Sequence, residues 1–390
     1  MRGKVALAMG AVAVAAAARP ALDAVAARME AHLNPVTVGP WAAPSDRATA
    51  LHATLRIADL HADSLLFGRD LLVRSPYGHV DIPRMQAGNV ALQVFSMATK
   101  TPWRMNYEHN TGDTDQVIAL ALAKRWPTAT WGSLTARVLH LAGEADGFAA
   151  RSGGAFRIVR SRDDLWAFLA DRAADRSVTA GLLSIEGAHG LDDDPANVDV
   201  VADAGIRMIS PAHFFDNAFG GSAHGVEQGG LTPKGLEMIR RMEARGVLLD
   251  LAHSSYLTIE DALTVATRPV VASHTGVKGV CNNSRNLSDE HLAGIAATGG
   301  VVGIGFWDVA CGGKEPSWIA RSIAYAVERV GPEHVALGSD WDGAVEVPFD
   351  AAGLATLTEQ LLQVGLDEDA IRLVMGENAL RVLGETLPEA

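Results

Sequence analysis

Six short apolar runs of the sequence end in residues that can bind metals or move protons. The first, "LRIADLHADSLL" at 55–66, places Asp59, His61 and Asp63 at alternate positions. Alternation along a strand directs such side chains to one face. That face either meets water, as on an edge strand, or holds something charged. This stretch by itself leaves both interpretations open.

Residues of the same kind end the five later runs. They are, in chain order, Glu186, His213, His253, His274 and Asp340. One histidine at a strand end is more often a satisfied rim residue than a ligand. A whole set at one rim is harder to explain in that way, because burying several titratable groups without a counter-charge is costly.

A bound metal removes this difficulty. Imidazole and carboxylate groups without a thiolate suit Zn²⁺ or another divalent transition ion. The set contains more ligands than one tetrahedral catalytic zinc uses. A two-metal site, bridged by a carboxylate and a hydroxide, therefore fits the number of candidate residues.

The elements that must position these residues alternate along the chain. Beyond residue 50, short β-branched runs alternate with segments of helical periodicity, which is typical of βα units around a parallel sheet. Eight strands are predicted, at 55–63, 90–97, 181–187, 206–213, 246–253, 270–274, 300–306 and 335–340. The sequence thus predicts an α/β protein, a (β/α)₈ TIM-type barrel, in which the ends of different strands converge at one rim.

Two further helical regions are predicted. The second and third strands are separated by about eighty residues, which contain "TDQVIALALAKRW" and "SRDDLWAFLADRAA". Connections of this length usually form local subdomains or lids, so we expect a helical insertion here. Residues 351–383 predict two extra C-terminal helices.

Composition limits the classes of function. The chain has 390 residues and a formal net charge of −13. This charge argues against nucleic acid as a partner, because phosphate backbones select basic surfaces. The two cysteines, Cys281 and Cys311, form no CxxC or Cys/His motif, and their pairing stays open.

The N-terminus has the pattern of a secretory signal. Arg2 and Lys4 precede a small apolar run that ends at Ala18, and Ala16 and Ala18 fit a cleavage site. We interpret residues 1–35 as a signal peptide or an N-terminal membrane anchor. The protein is then exported or membrane-anchored, periplasmic or extracellular in a bacterium. An Ala-rich surface helix and a cytoplasmic location stay open as alternatives.

Several motifs together resemble one family. The segments "DLHAD", "LLSIEGAHG", "GVLLDLAHSS", "VVASHTGVKGVCNNSRN" and "GSDWDG", in this order, are similar to the renal (membrane) dipeptidases, which are binuclear zinc peptidases. The likeness covers roughly residues 50–385, which we expect to form the metallo-dipeptidase barrel domain. It implies a dipeptide substrate and a homodimer.

The resemblance also implies a role for each candidate. His61, Asp63 and Glu186 would hold one Zn²⁺, and Glu186, His253 and His274 the other, with Glu186 and a hydroxide as bridges. His213 matches a histidine that faces the substrate. The last two matches are Arg285, for the arginine that receives the substrate carboxylate, and Asp340, for the aspartate beside the bridging water.

Two rival functions keep the same barrel. Another binuclear hydrolase would act on a β-lactam, a lactone or an N-acyl amino acid, and the segment "FFDNAFGGSAHG" after His213 departs from the family pattern. The second rival is a binding protein without catalysis.

Asp59, Asp250, Asp342, His189 and His224 are interpreted as structural or supporting residues.

Overall fold

A parallel β-sheet organises the protein, of which a computed structural model describes residues 24–37 and 39–389. The strands are β1 Ile57–Ala62, β2 Val90–Phe95, β3 Phe156–Ile158, β4 Thr179–Ile185, β5 Ile206–Ile209, β6 Leu248–Leu249, β7 Val271–Thr275, β8 Val301–Ile304 and β9 Val335–Leu337. Eight of them form one path in the order β6-β5-β4-β2-β1-β9-β8-β7, and the short β3 pairs with β4 outside it.

The two ends of this path approach each other. A parallel bridge joins Asp250, just after β6, to Val271 of β7, and the Leu251 N–H donates to the Val271 carbonyl at 2.7 Å. The α/β fold therefore has an eight-stranded parallel sheet that is compatible with a TIM-like barrel.

Helices cover the sheet. In chain order they are α1 Asp46–His52, α2 Ile82–Ala87, α3 Val117–Ala123, α4 Leu134–Arg151, α5 Arg162–Ala174, α6 Asn197–Asp203, α7 Pro233–Ala244, α8 Tyr256–Val265, α9 Asp289–Ala297, α10 Asp308–Cys311, α11 Pro316–Val330, α12 Ala355–Gln363, α13 Glu368–Arg372 and α14 Asn378–Thr386. Side-chain caps fix where several of them begin. Ser161 and Asp164 form a capping box at α5, and Thr232 caps α7 ahead of Pro233.

Burial identifies β1 as a central strand. All residues of β1, β2 and β4 are buried, so both faces of the sheet are covered there. β1 also has a neighbour on each side, β2 and β9. The wet edge strand considered for residues 55–66 is therefore excluded.

The sequence prediction differs from the observed strands in two respects. The eight predicted strands correspond to β1, β2 and β4 to β9, whereas β3 was missed because three residues are too few to show an alternating pattern. Several strands are also shorter than predicted. In the run 246–253, regular strand pairing is limited to Leu248–Leu249, and Asp250 adds only the isolated bridge to Val271.

The N-terminal region is described only in part. Most of the predicted signal peptide or anchor, residues 1–23, lies outside the described residues. Residues 24–33 are helical, and Val36 forms a parallel bridge with Val347. Within residues 24–37 and 39–389, no helix combines the length and apolar character that crossing a bilayer requires.

Candidate metal centre

The eight side chains selected from the sequence lie together at the C-terminal ends of the strands. His61 and His274 belong to β1 and β7, and Glu186 directly follows β4. The remaining five lie in the loops after β1, β5, β6, β7 and β9, and they are Asp63, His213, His253, Arg285 and Asp340. All eight are buried, with at most 8% of any residue exposed.

Glu186 occupies the centre of this group. Its Oε1 lies 3.0 Å from Nε2 of His253, 3.2 Å from Nε2 of His274 and 3.6 Å from Nε2 of His61. Its Oε2 lies 3.3 Å from Nε2 of His213. One carboxylate thus faces four imidazoles that are contributed by four different strands or their loops.

The donor atoms fall into overlapping sets of three. In each set the ligand atoms lie within 4.8 Å of one another, and the sets are His61, Glu186 and His274; Glu186, His213 and His253; and His61, Asp63 and Asp340. Nε2 of His61 and Oδ1 of Asp63 have no hydrogen-bond partner among the described residues. Unpaired buried donors and acceptors of this kind are costly, and a divalent cation would satisfy them. The residues present therefore fit a metal.

Glu186 and Asp340, two of the carboxyl groups of the centre, resist ionisation. Burial raises the pKa of Glu186 well above its usual range, and the nearby charge of Asp63 adds to this effect. Burial also raises the pKa of Asp340 to about 7. These two carboxyl groups consequently need a nearby positive charge if they are to be ionised at neutral pH.

The imidazoles fall into two classes. Burial lowers the pKa of His213, His253 and His274 well below the usual value, so these rings are neutral and can act as ligands. Burial also lowers the pKa of His61, but the adjacent carboxylates of Glu186 and Asp63 reverse the shift and raise it to about 10. His61 therefore lies at the most negative part of the centre.

Buried polar residues behind the rings set their orientation. Asp250 accepts from Ser273 Oγ at 2.6 Å, and Ser273 Oγ lies 2.8 Å from Nδ1 of His274 and 3.4 Å from Nδ1 of His61. Asp250 thus supports two predicted ligands through one hydroxyl. The sequence alone did not reveal which residues Asp250 supports, because the contact passes through a residue of another strand.

Asp59 supports the segment that carries Asp340. Its carboxylate accepts from Gln93 Nε2 at 2.6 Å and from the N–H and hydroxyl of Ser339 at 2.8 and 2.7 Å. Ser339 precedes Asp340 in the chain. Asp59 therefore holds the segment that carries Asp340 and makes no direct hydrogen bond to the ring of His61.

Arg285 reaches the centre from the loop after β7. Its Nη2 donates to the carbonyl of His274 at 2.6 Å and lies 3.3 Å from Nε2 of His253. The guanidinium carbon lies 5.4 Å from the ring centroid of Trp307, and Nε has no partner among the described residues. A planar donor group is thus held at the edge of the metal centre with bonding capacity left.

Tyr107 is a residue near the site that no sequence pattern had indicated. This residue lies in the segment between β2 and α3, its carbonyl accepts from Nδ1 of His224 at 2.9 Å, and its ring lies 5.7 Å from that of Phe214. Burial raises the pKa of Tyr107 to about 12. The charges of Asp340 and Arg285 act on its hydroxyl, and no strand-end pattern could have predicted this because Tyr107 lies in an irregular loop.

A sequence model of one family covers almost the whole described chain. The model, described as Membrane dipeptidase (Peptidase family M19), matches residues 45–388. This chain belongs to the membrane dipeptidase family. It is accordingly a metallo-dipeptidase and a hydrolase, as its resemblance to the renal enzymes had implied.

Individual relatives agree with this membership. An uncharacterized protein of the pqqA 5′ region from Klebsiella pneumoniae is 33% identical over 250 residues, which is 60% of this chain and 90% of that protein. Dipeptidase tcpJ from Claviceps purpurea is 27% identical over 320 residues, covering 79% of this chain and 69% of its own length.

A solved structure shares the fold of this membrane dipeptidase. It is a metallo peptidase from Rhodobacter sphaeroides, crystallised with a phosphinate mimic of the dipeptide L-Ala-D-Ala. The TM-score is 0.70 at 24% identity, over 85% of this chain and 99% of the other. The central sheet and its helices are thus those of a known metallopeptidase fold.

Proposed function

We propose that the protein is a zinc-dependent dipeptidase that holds two Zn²⁺ ions, bridged by Glu186, and cleaves dipeptides with a free C-terminal carboxylate. One observation carries the proposal: Oε1 of Glu186 lies within 3.6 Å of the Nε2 atoms of His61, His253 and His274. A carboxylate shared by imidazoles of three strands is suited to a position between two cations.

The proposed ligand sets follow the family resemblance. His61, Asp63 and Glu186 would bind one ion, and Glu186, His253 and His274 the other. The geometric sets differ from these, since they pair His274 with His61 and include His213. We assign His213 to the substrate because its Nε2 approaches Oε2 of Glu186, whereas the shortest contacts of the other three imidazoles are made to Oε1.

The chemistry divides between the metals and the protein. When bound, two divalent ions supply a water nucleophile at neutral pH and polarise the scissile carbonyl. Nε2 of His213 would donate a hydrogen bond to the carbonyl oxygen as negative charge develops on it. Asp340 would take a proton from the attacking water and transfer it to the leaving amine nitrogen.

Arg285 would set the substrate length. Its guanidinium can form two parallel hydrogen bonds with a carboxylate, which positions a short substrate by its terminus. The stacking on Trp307 and the bond to the His274 carbonyl limit its rotation. A substrate held in this way would need a free terminus one residue beyond the scissile bond.

The remaining proposals concern the whole chain. We infer that the sheet closes as a (β/α)₈ barrel through the Asp250–Val271 bridge, with α3 to α5 as the insertion and α12 to α14 as the C-terminal addition.

Residues 1 to about 19 would be an export leader. An intact N-terminus on protein from the soluble cytoplasmic fraction of the native cell would refute the leader.

Metal analysis and a dipeptidase assay on one purified sample test the proposed function. We expect about two zinc ions per chain and turnover that falls on chelation and returns with Zn²⁺. Two bound metals with no activity on any dipeptide would favour another binuclear hydrolase, acting on a lactam, a lactone or an N-acyl amino acid. Absence of both metal and turnover would favour a binding protein.

A further inference from the structure

The N-terminal segment, residues 24–37, contacts the loop that carries Asp340. It lies outside the region matched by the family model, which begins at residue 45. Glu30 and Asn34 are only 2% exposed, and the N–H of Asn34, directly after the helical residues 24–33, donates to the Glu30 carbonyl at 2.9 Å. Oδ1 of Asn34 accepts a hydrogen bond from the N–H of Ala344 at 2.8 Å.

Glu30 is joined to the same loop through an arginine. Its carboxylate pairs with Nε of Arg69, and Nη2 of Arg69 pairs with the carboxylate of Asp342. The side chains of Glu30, Arg69 and Asp342 are at most 6% exposed. Removing one partner of a buried ion pair strongly destabilises the protein, because the other charge is left uncompensated.

Asp342 connects this ionic network to the metal centre. Its carboxylate accepts from Ser64 Oγ at 2.5 Å, from the N–H of His79 at 2.6 Å and from the N–H of Val80 at 3.3 Å. Ser64 directly follows Asp63, a proposed zinc ligand. Asp342 therefore belongs to the loop that carries Asp340 and is bonded to the loop that carries Asp63.

The loop after β9 needs such support because its backbone is strained. Asp340, Asp342 and Ala344 all have positive φ angles, of 61°, 63° and 61°. L-residues other than glycine rarely adopt this conformation, and it persists where surrounding contacts impose it. The N-terminal segment contacts this loop at two of these residues, at Asp342 through Arg69 and at Ala344 directly.

We propose that Glu30 and Asn34 are positioning residues for the catalytic loop. Glu30 acts through Arg69 and Asp342, Asn34 acts through the backbone of Ala344, and together they fix the orientation of Asp340 and Asp63. Residues 24–37 are then part of the catalytic unit. The inference rests on the proposed function, because it assigns Asp63 to a metal and Asp340 to proton transfer.

The test compares two variants of the full chain. Glu30→Gln removes the buried charge, whereas Glu346→Gln is a matched control. Glu346 bonds the same segment through Thr37 at 2.5 Å, but it lies at the surface and does not contact the network. We expect E30Q to lose at least tenfold in Zn²⁺ affinity, measured by chelator competition, and about tenfold in kcat with KM within twofold. E346Q should stay within twofold of wild type in all three quantities.

A purely structural role gives a different result. In that case E30Q would lower the melting temperature but leave Zn²⁺ affinity and kcat unchanged at 25 °C, and the proposal would be wrong. If E30Q does not fold, Asn34→Ala, which removes one neutral contact, must reproduce the losses for the proposal to stand. The Zn²⁺ titration contains no substrate, so it tests the positioning role even if the wild type cleaves no dipeptide.

Discussion

Glu186 is the residue on which the centre depends most. It faces four imidazoles, and burial keeps its pKa well above the usual range. All four imidazoles lie within 3.6 Å of this carboxylate. Removing its charge should consequently affect the centre as a whole.

Glu186→Gln should abolish tight binding of both ions, because the amide lacks the charge that compensates two cations. His61→Ala should chiefly weaken one ion, since it belongs to one proposed ligand set. Metal content after dialysis, measured for both variants, distinguishes the two effects. Two tightly bound metals in E186Q would show that Glu186 does not bridge.

Asp340→Asn should keep the fold and most of the metal but reduce kcat by about 10²–10⁴-fold, because an amide can donate or accept a hydrogen bond but cannot carry the proton. Turnover and metal content of the same preparation are the measurements. Asp308→Asn, at an exposed carboxylate at the start of α10, is the control and should be nearly normal. Near-normal turnover of D340N across the pH range would remove Asp340 from the mechanism.

At the scale of elements, the strands were predictable and the connections were not. The runs that became β1, β2 and β4 are buried on both faces, so they read as continuous apolar segments. Polar residues at the ends of six of the predicted strands marked the rim, which is why the candidate residues could be predicted from the sequence. The hydrophobic pattern thus located the strands and the rim, although several strands end before the predicted runs do.

The supporting contacts were beyond reach of the sequence because they join distant segments. The Asp250–Ser273 pair bridges β6 and β7, and the bonds of Asp342 connect residues more than 260 positions apart along the chain. Tyr107 reaches the centre from an irregular loop. No local periodicity encodes such contacts, since they depend on tertiary packing.

One close approach of elements leads to a stability prediction. A Cβ added at Gly376, between α13 and α14, would lie 2.0 Å from the Arg56 carbonyl oxygen and 2.6 Å from the Ala58 nitrogen, at the start of β1. Gly376→Ala should therefore destabilise the protein by about 1–3 kcal/mol or more, as overpacking does. Denaturant unfolding measures the change.

Gly143→Ala is the matched control for that variant. Gly143 lies inside α4, and an added Cβ would meet nothing within 4 Å. The substitution should stabilise the protein by about 0.5–1 kcal/mol through helix propensity. Equal effects of the two alanines would mean that the packing of Gly376 against β1 has been misjudged.

The whole molecule brings its ligands together from across the sheet. The predicted ligands come from β1, β4, β6 and β7 or the loops that follow them, so bound metal would cross-link much of the sheet. Ions that bind only the folded state stabilise it by mass action. Folding and metal binding should consequently be linked in this protein.

Chelation should lower the unfolding midpoint, and added Zn²⁺ should restore it. At free metal a hundredfold above Kd, each site contributes about 2.7 kcal/mol to the free energy of unfolding. Thermal unfolding with and without chelator measures the shift, and E186Q should show little of it. An unchanged midpoint after verified loss of metal would contradict the linkage.

The central claim is that a binuclear centre acts on dipeptides held by a free carboxylate at Arg285. The most direct measurement is kcat/KM for a dipeptide and for its C-terminal amide, in the wild type and in Arg285→Met. Met keeps much of the side-chain length but removes the charged bidentate contact. We predict that the wild type strongly prefers the free dipeptide, and that R285M loses at least about a hundredfold on it, or on the order of 3 kcal/mol, with little change on the amide. A wild type that cleaves the amide as readily as the free dipeptide would contradict the account.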